Sequence, residues 1–346
     1  MKNQPHSICI LRLSAIGDVC HTLAVVQAIQ KQYPNAEITW IIGKVEAMLV
    51  EGIPNVTLIP YDKKSGFKGI LALWKQLSHK RFDVLLNMQL AIRASLLSLG
   101  IKAKQKIGFN RERAKEGQWL FTNAQVEKTA TYHVLDGLML FAKAIGVTDL
   151  NPQWQLALSE EDKQYIDQFI EKDKKQLVIA ACSSSVKRDW SPQNYIKIAQ
   201  FAEQHNLQVI LCGSPSKYEM QVADTIHQAV PSTLNLAGKT TLKQLAVLMS
   251  HADLVISSDS GPAHIATTQG AKVLGLYAVQ NPKRTGPYHH INDVISVYEE
   301  AILQEYGKPW QALPWATKAK TANLMDKITV EQVQQKMSEM LNLANE

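Results

Sequence analysis

The residues best suited to chemistry form a run of small and polar side chains, Ser257-Ser258-Asp259-Ser260-Gly261-Pro262. It lies between an apolar β-branched stretch, Leu254-Val255-Ile256, and a short helical pattern over 263–268. Strand, small-residue turn and helix start outline an anion site. Gly261 lets a ligand approach the backbone, Pro262 suits the first helical position, and Ser260 or Asp259 can cap the helix. Free N–H groups and the positive dipole end then face a phosphate. Asp259 fits least well, because a carboxylate repels a diphosphate unless it caps the helix or binds a hydroxyl. An ordinary capped helix after a strand accounts for the same residues.

A second polar cluster, Ser183-Ser184-Ser185-Val186-Lys187-Arg188-Asp189-Trp190, follows another apolar run. Hydroxyls and two cations beside a helix start suit a diphosphate, whose charge they would offset without a metal. A solvated loop is the plainer alternative. Asp18 ends the stretch Ile10-Leu11-Arg12-Leu13-Ser14-Ala15-Ile16-Gly17, just past the first strand-like run. A carboxylate there either caps a helix, with Gly17 in the turn, or acts as a general base on an attacking hydroxyl. The loop from Gly108 to Glu116 also follows a strand, which brings Arg113 and Lys115 toward a ligand; Gln89 and Arg93 follow another.

Strands and helices must alternate to carry these groups. Strand patterns fall at 7–13, 38–42, 56–59, 83–88 and 106–109, and helical patterns at 19–33, 67–77, 91–99 and 132–145. After a break at 151–155 the alternation restarts, with strands at 177–182, 208–212, 254–257 and 272–277. Helical patterns between and after them cover 191–205, 217–229, 242–250 and 330–341, and 307–316 reads as a loop. Many strands are apolar throughout, which predicts parallel sheets covered on both faces. Two Rossmann-type sheets would bind a ligand at the carboxyl ends of their strands, across a cleft.

A chain of 346 residues has room for two domains, and 46% hydrophobic with 20% charged residues is an ordinary globular balance. No run of 18 apolar residues predicts a membrane span, and polar Met1 to Ser7 does not read as a signal peptide. Cys9, Cys20, Cys182 and Cys212 form no CxxC pair and read as reduced cysteines of a cytoplasmic protein. No cluster has metal-ligand spacing. The net charge of +6 is uneven. Residues 1–155 hold 19 Lys and Arg against 11 Asp and Glu, a balance of +8, while 156–346 hold 18 against 20. The first half should face something anionic, a lipid surface or a phosphorylated glycolipid. No nucleic-acid recognition motif is present.

The motif D-S-G-P-x-H at 259–264, followed by Asn281-Pro282-Lys283 and Gly286-Pro287-Tyr288, resembles the donor site of glycosyltransferase family 9. Those are the bacterial lipopolysaccharide heptosyltransferases. The opening strand, with Ser14-Ala15-Ile16-Gly17-Asp18-Val19 and His21-Thr22-Leu23, resembles the other end of the family pattern, nearest the heptosyltransferase I type. The resemblance implies a GT-B fold: residues 1–155 binding acceptor, 156–325 binding an ADP-sugar, and 326–346 turning back toward the first domain. It implies Asp18 as catalytic base. Ser183, Ser184, Lys187, Arg188, Asp259, Ser260, Gly261 and His264 would face the donor, with Thr240 and Leu242 near the base. Glu219 becomes the candidate for the ribose, although Lys217 stands nearer the usual acidic position. Arg113 and Lys115 would meet the acceptor, with Gln89 and Arg93 nearby. The donor implied is ADP-L-glycero-D-manno-heptose and the acceptor the Kdo residue of lipid A, with inversion and no metal or cofactor. Another nucleotide-sugar transferase, a nucleotide-sugar epimerase and a non-catalytic sugar-binding protein are the alternatives.

Overall fold

The computed structural model describes residues 4–343, so the first residues of the polar Met1–Ser7 stretch and the last of 326–346 lie outside the described residues. The chain divides into two compact units, Met1–Ala157 and Leu158–Glu346.

In the first unit, β1 (Ser7–Leu11), β2 (Glu37–Gly43), β3 (Val56–Tyr61), β4 (Phe82–Asn87), β5 (Ala103–Gly108) and β6 (Ala124–Gln125) form one sheet. Its order is β3-β2-β1-β4-β5-β6, and every pairing is parallel. Residues 8–11 of β1 and 38–43 of β2 are buried, as the unbroken apolar runs require for strands covered on both faces. On one side Cys9, Leu11, Ile41 and Leu85 pack against Ile70, Leu73 and Leu97 of the helices Gly66–Gln76 and Ile92–Leu99. The helix Ile16–Gln32 follows β1 and packs on the helix Val134–Ala144.

The second unit repeats this topology. β7 (Gln176–Ala180), β8 (Gln208–Leu211), β9 (Leu234–Asn235), β10 (Leu254–Ser258), β11 (Val273–Tyr277) and β12 (Ile295–Ser296) pair in the order β12-β11-β10-β7-β8-β9, again all parallel. In each sheet the order in which strands are added therefore reverses once, between β1 and β4 and between β7 and β10. Those two switch points, at the carboxyl ends of the strands, are where such sheets bind ligands.

The helix Val330–Leu341 buries Val333, Met337 and Leu341 in the core of the second unit, against the helix Pro192–Gln204 and β10. All four cysteines are free and buried.

Candidate active site

At the first switch point the chain leaves β1 through Arg12, Leu13 and Ser14. Arg12 is buried, and its guanidinium reaches three ways. Nη1 donates to the Met88 carbonyl beyond β4, Nε to the Ser14 carbonyl at 3.1 Å, and Nη2 pairs with Asp18 Oδ2 at 2.5 Å. Gln89 completes the link, its Oε1 accepting from Leu13 N at 3.0 Å and Ser14 N at 3.4 Å. Asp18 does not stand at the N-cap, which is Ala15. It lies one turn in, and its Oδ2 reaches back to the Ala15 N–H at 3.0 Å, half of a capping box. From that position Asp18 helps to close the helix start, and its side chain keeps 32% exposure at the strand end. Arg12 is a site residue that the sequence reading did not single out, although a lone arginine closing an apolar strand was the available signal.

The remaining first-unit candidates separate. Arg113 is buried, with Nη2 donating to the Thr131 carbonyl. It packs so closely on Gly137 that a Cβ there would stand 2.2 Å from Nη1. It braces its own loop. Lys115 is exposed. Arg93 is also exposed and donates to the Lys63 carbonyl at 2.8 Å.

At the second switch point Arg188 holds the centre. Nη1 pairs with Asp259 Oδ2 at 2.7 Å, joining the loop after β7 to the loop after β10, and Nη2 donates to Ser184 Oγ at 2.7 Å. Asp259 is therefore neutralised by a cation, which removes the objection that it would repel a diphosphate. His264 Nε2 lies 3.9 Å from the other oxygen of Asp259. Capping differs from expectation. Ser260 occupies the N-cap of the helix Gly261–Thr268, but its side chain makes no capping bond and lies 2.7 Å from Ser257 Oγ instead. With Asp259 turned to Arg188 as well, neither side chain caps the first N–H groups of this helix. Ser183 shapes the loop: its N–H donates to Asp189 Oδ1 at 2.7 Å and its Oγ to the Ser185 carbonyl at 2.9 Å. Burial raises the Asp189 carboxyl above its usual range, against the hydrogen bonds it accepts from Ser183 and Tyr218.

Beside this cluster, Gly213 and Gly238 bring two loops together, with Gly238 N–H donating to the Gly213 carbonyl at 3.0 Å. Gly238 has φ +72°, and a Cβ there would meet the Met220 sulfur at 3.0 Å. Thr240 and Leu242 sit half-buried just past it. Glu219 braces the same turn, accepting from Ser214 N at 2.7 Å and Ser214 Oγ at 2.5 Å. Tyr218, missed in the sequence reading, donates to Asp189 Oδ2 at 3.1 Å and so ties this turn to the Arg188 loop. Burial, then the neighbouring Asp189 charge, pushes its phenol up to about 12.

A groove of about 920 Å³ opens beside Arg188 and Lys187. Its opposite wall is the segment 317–321, which brings Lys318 and Lys320 to the same space. That wall is pinned: Ala319 N–H donates to the Val279 carbonyl at 3.0 Å, and Glu305 accepts from Lys320 N and Thr321 N at 2.9 and 2.8 Å. Among the described residues no acidic side chain lines the groove. Among the described residues no group of three or more His, Cys, Asp or Glu is placed to hold a metal ion. No helix of the described residues is long and apolar enough to cross a membrane.

A sequence model of glycosyltransferase family 9, the heptosyltransferases, matches residues 70–316. The chain belongs to glycosyltransferase family 9. It is 57% identical over 330 residues to the lipopolysaccharide core heptosyltransferase OpsX of Haemophilus influenzae, covering 95% of each chain. Lipopolysaccharide heptosyltransferase 3 of Escherichia coli is 24% identical, over 86% of this chain and 87% of its own. A solved family 9 glycosyltransferase from Veillonella parvula has a TM-score of 0.79 at 22% identity, with 99% of both chains covered. The E. coli heptosyltransferase WaaC, solved with ADP, has a TM-score of 0.74 at 18% identity, over 96% of this chain and 99% of its own. The family 9 chain is thus a glycosyltransferase, and its two Rossmann-type units are of the expected GT-B class.

Proposed function

We propose that this enzyme transfers L-glycero-D-manno-heptose from ADP-heptose to the Kdo residue of Kdo-lipid A, with inversion and without a metal. The observation that carries the donor side is Arg188, fixed by Asp259 and Ser184 at the switch point of the second sheet. The 57% identical relative named as a lipopolysaccharide core heptosyltransferase supports the sugar and the pathway, and the E. coli heptosyltransferase solved with ADP supports the nucleotide.

In this reading Asp18 takes the proton from the Kdo hydroxyl as its oxygen attacks the anomeric carbon. The bond from that carbon to the diphosphate breaks, and ADP leaves with the electron pair. Arg12 orients the Asp18 carboxylate rather than touching substrate. Arg188, Lys187 and the N–H groups at Gly261 stabilise the charge that grows on the leaving diphosphate. A sugar nucleoside diphosphate carries two negative charges, and Asp259 offsets Arg188. Lys187 alone would leave the charge unbalanced, so Lys318 and Lys320 across the groove belong to the donor site. We place the enzyme in the cytoplasm, at the anionic face of the inner membrane, where the basic first half meets its lipid-linked acceptor.

Donor hydrolysis and transfer assays with ADP-, UDP- and GDP-sugars, each with excess EDTA, test this directly. Turnover with ADP-heptose that survives EDTA is the expected result. Preference for a UDP- or GDP-sugar, or epimer interconversion without transfer, would assign the site to another chemistry.

A further inference from the structure

Exposed large apolar side chains gather on one part of the first unit. The helix Ile92–Leu99 turns Ile92, Leu96 and Leu99 to solvent at i, i+4 and i+7 spacing, a continuous stripe on its outer face. The neighbouring helix Gly66–Gln76 exposes Phe67 and Leu71, again four apart, and the turn Gln118–Phe121 exposes Trp119 and Leu120. The helix Ile92–Leu99 packs against both of the others, so the three elements form one neighbourhood. Exposure reaches 76% at Leu120, 67% at Phe67 and 54% at Leu99, far more than a residue of a buried helix face retains. Lys64, Lys68 and Lys75 lie exposed along the Phe67 helix and its approach.

We infer that this face inserts shallowly into an anionic lipid bilayer. Contiguous exposed apolar surface marks an interaction site, and cations alongside it select an anionic, apolar-cored partner. Amphipathic helices with Lys on the flank and Trp, Phe or Leu on the face lie in the interface this way. The flexible lysine stems keep their ammonium groups at headgroup level while the rings and branched chains go deeper. The turn carrying Trp119 and Leu120 is anchored from beneath. Gln118 Nε2 donates to the Asn87 carbonyl at 3.0 Å and the Gln89 carbonyl at 2.9 Å, and Gln118 Oε1 accepts from Phe109 N at 3.0 Å. Gln89 is the residue that holds the Ser14 loop beside Asp18. A bilayer seated on this face would thus meet the unit close to the carboxyl ends of β4 and β5. The inference rests on the membrane contact proposed above and adds apolar insertion to its charge.

Co-sedimentation of the full chain with vesicles of phosphatidylcholine alone, and with phosphatidylglycerol added, tests it. The wild type should bind the anionic vesicles, and part of that binding should persist at high salt. The triple variant Leu96→Ser, Leu99→Ser, Leu120→Ser should lose at least about tenfold in binding and its salt-resistant fraction entirely, from the transfer free energy of three leucines. Transfer to a soluble, delipidated acceptor should not change. Lys64→Gln, Lys68→Gln, Lys75→Gln should weaken binding only at low salt. Undiminished binding of the leucine variant, fully reversed by salt, would leave a purely electrostatic contact and overturn the insertion. Concentration-dependent dimerisation lost in the same variant would assign the face to a second copy instead. A wild type that binds no vesicle sinks both the insertion and the membrane contact it deepens.

Discussion

Arg12–Asp18 and Arg188–Asp259 stand at matching places in two sheets of the same topology, yet they are built for different work. The first pair is local: six positions separate its members, and Asp18 also caps the helix it begins. Its carboxylate is the more exposed member, at 32% against 8% for the arginine. The second pair joins loops 71 positions apart, and both members are mostly buried, at 16% and 11%. In the first the cation serves the acid; in the second the acid serves the cation. One sheet thus presents a carboxylate, which suits proton removal. The other presents a guanidinium among hydroxyls and lysines, which suits a departing diphosphate. In the proposed reading a single topology serves two chemistries, because the partner that each ion pair holds in place differs.

Breaking the second pair should have the largest consequences. Arg188→Ala should weaken ADP binding about tenfold or more and slow transfer by roughly 10²-fold, since it removes both ground-state and transition-state interactions. It also strands Asp259, a mostly buried carboxylate, and breaking such a pair costs about 3–5 kcal/mol. Adding Asp259→Asn should recover part of that stability in thermal melts without restoring ADP affinity. Recovery of both would mean that Arg188 is purely structural. Arg12→Ala should act on the other side of the comparison. Transfer should fall by roughly tenfold to a hundredfold through kcat as Asp18 loses its orientation, with the ADP dissociation constant unchanged. A change in ADP affinity would erase the division of labour between the two sheets.

Smaller effects sharpen the comparison. Lys318→Ala with Lys320→Ala should weaken ADP several-fold while leaving adenosine binding as it was, and arginine at both positions should restore ADP affinity. Titration calorimetry with the two ligands separates this from a folding defect. The smallest effect is expected at Lys102, Lys104 and Lys106. Their ammonium groups go to the Ser78 carbonyl, Asp83 and the Ser98 carbonyl, and burial lowers the pKa of Lys106. Neutralising them should change acceptor KM by less than about twofold, because each already has a partner within its own unit.

Much of the architecture was legible because it depends on local pattern. Uninterrupted apolar runs announced the parallel strands, and the helices Lys217–Ala229 and Val330–Leu341 begin and end where their periodicity does. The helix Glu160–Asp167 was not legible: it buries only Ile166 and is held by a Ser159–Asp162 capping box rather than an apolar stripe. The helix Lys44–Val50 follows β2 without a break or a side-chain cap to mark it. In the site, the polar loops after β1, β7 and β10 could be found because strand ends carry them. Their pairings could not. That Arg188 meets Asp259 depends on β7 and β10 lying adjacent in space. Arg113 shows the converse, a well-placed cation in the sequence that the fold turns inward onto Thr131.

The division of labour rests on Asp18, and one substitution addresses it. Asp18→Asn preserves size and retains an acceptor oxygen for the Ala15 N–H, so the helix start should persist. Transfer rate and ADP affinity should be measured on the same preparation. The account predicts an ADP dissociation constant within about twofold of wild type and a transfer rate lower by roughly 10²–10⁴-fold, the range for loss of a general base. Near-normal transfer by Asp18→Asn would contradict it.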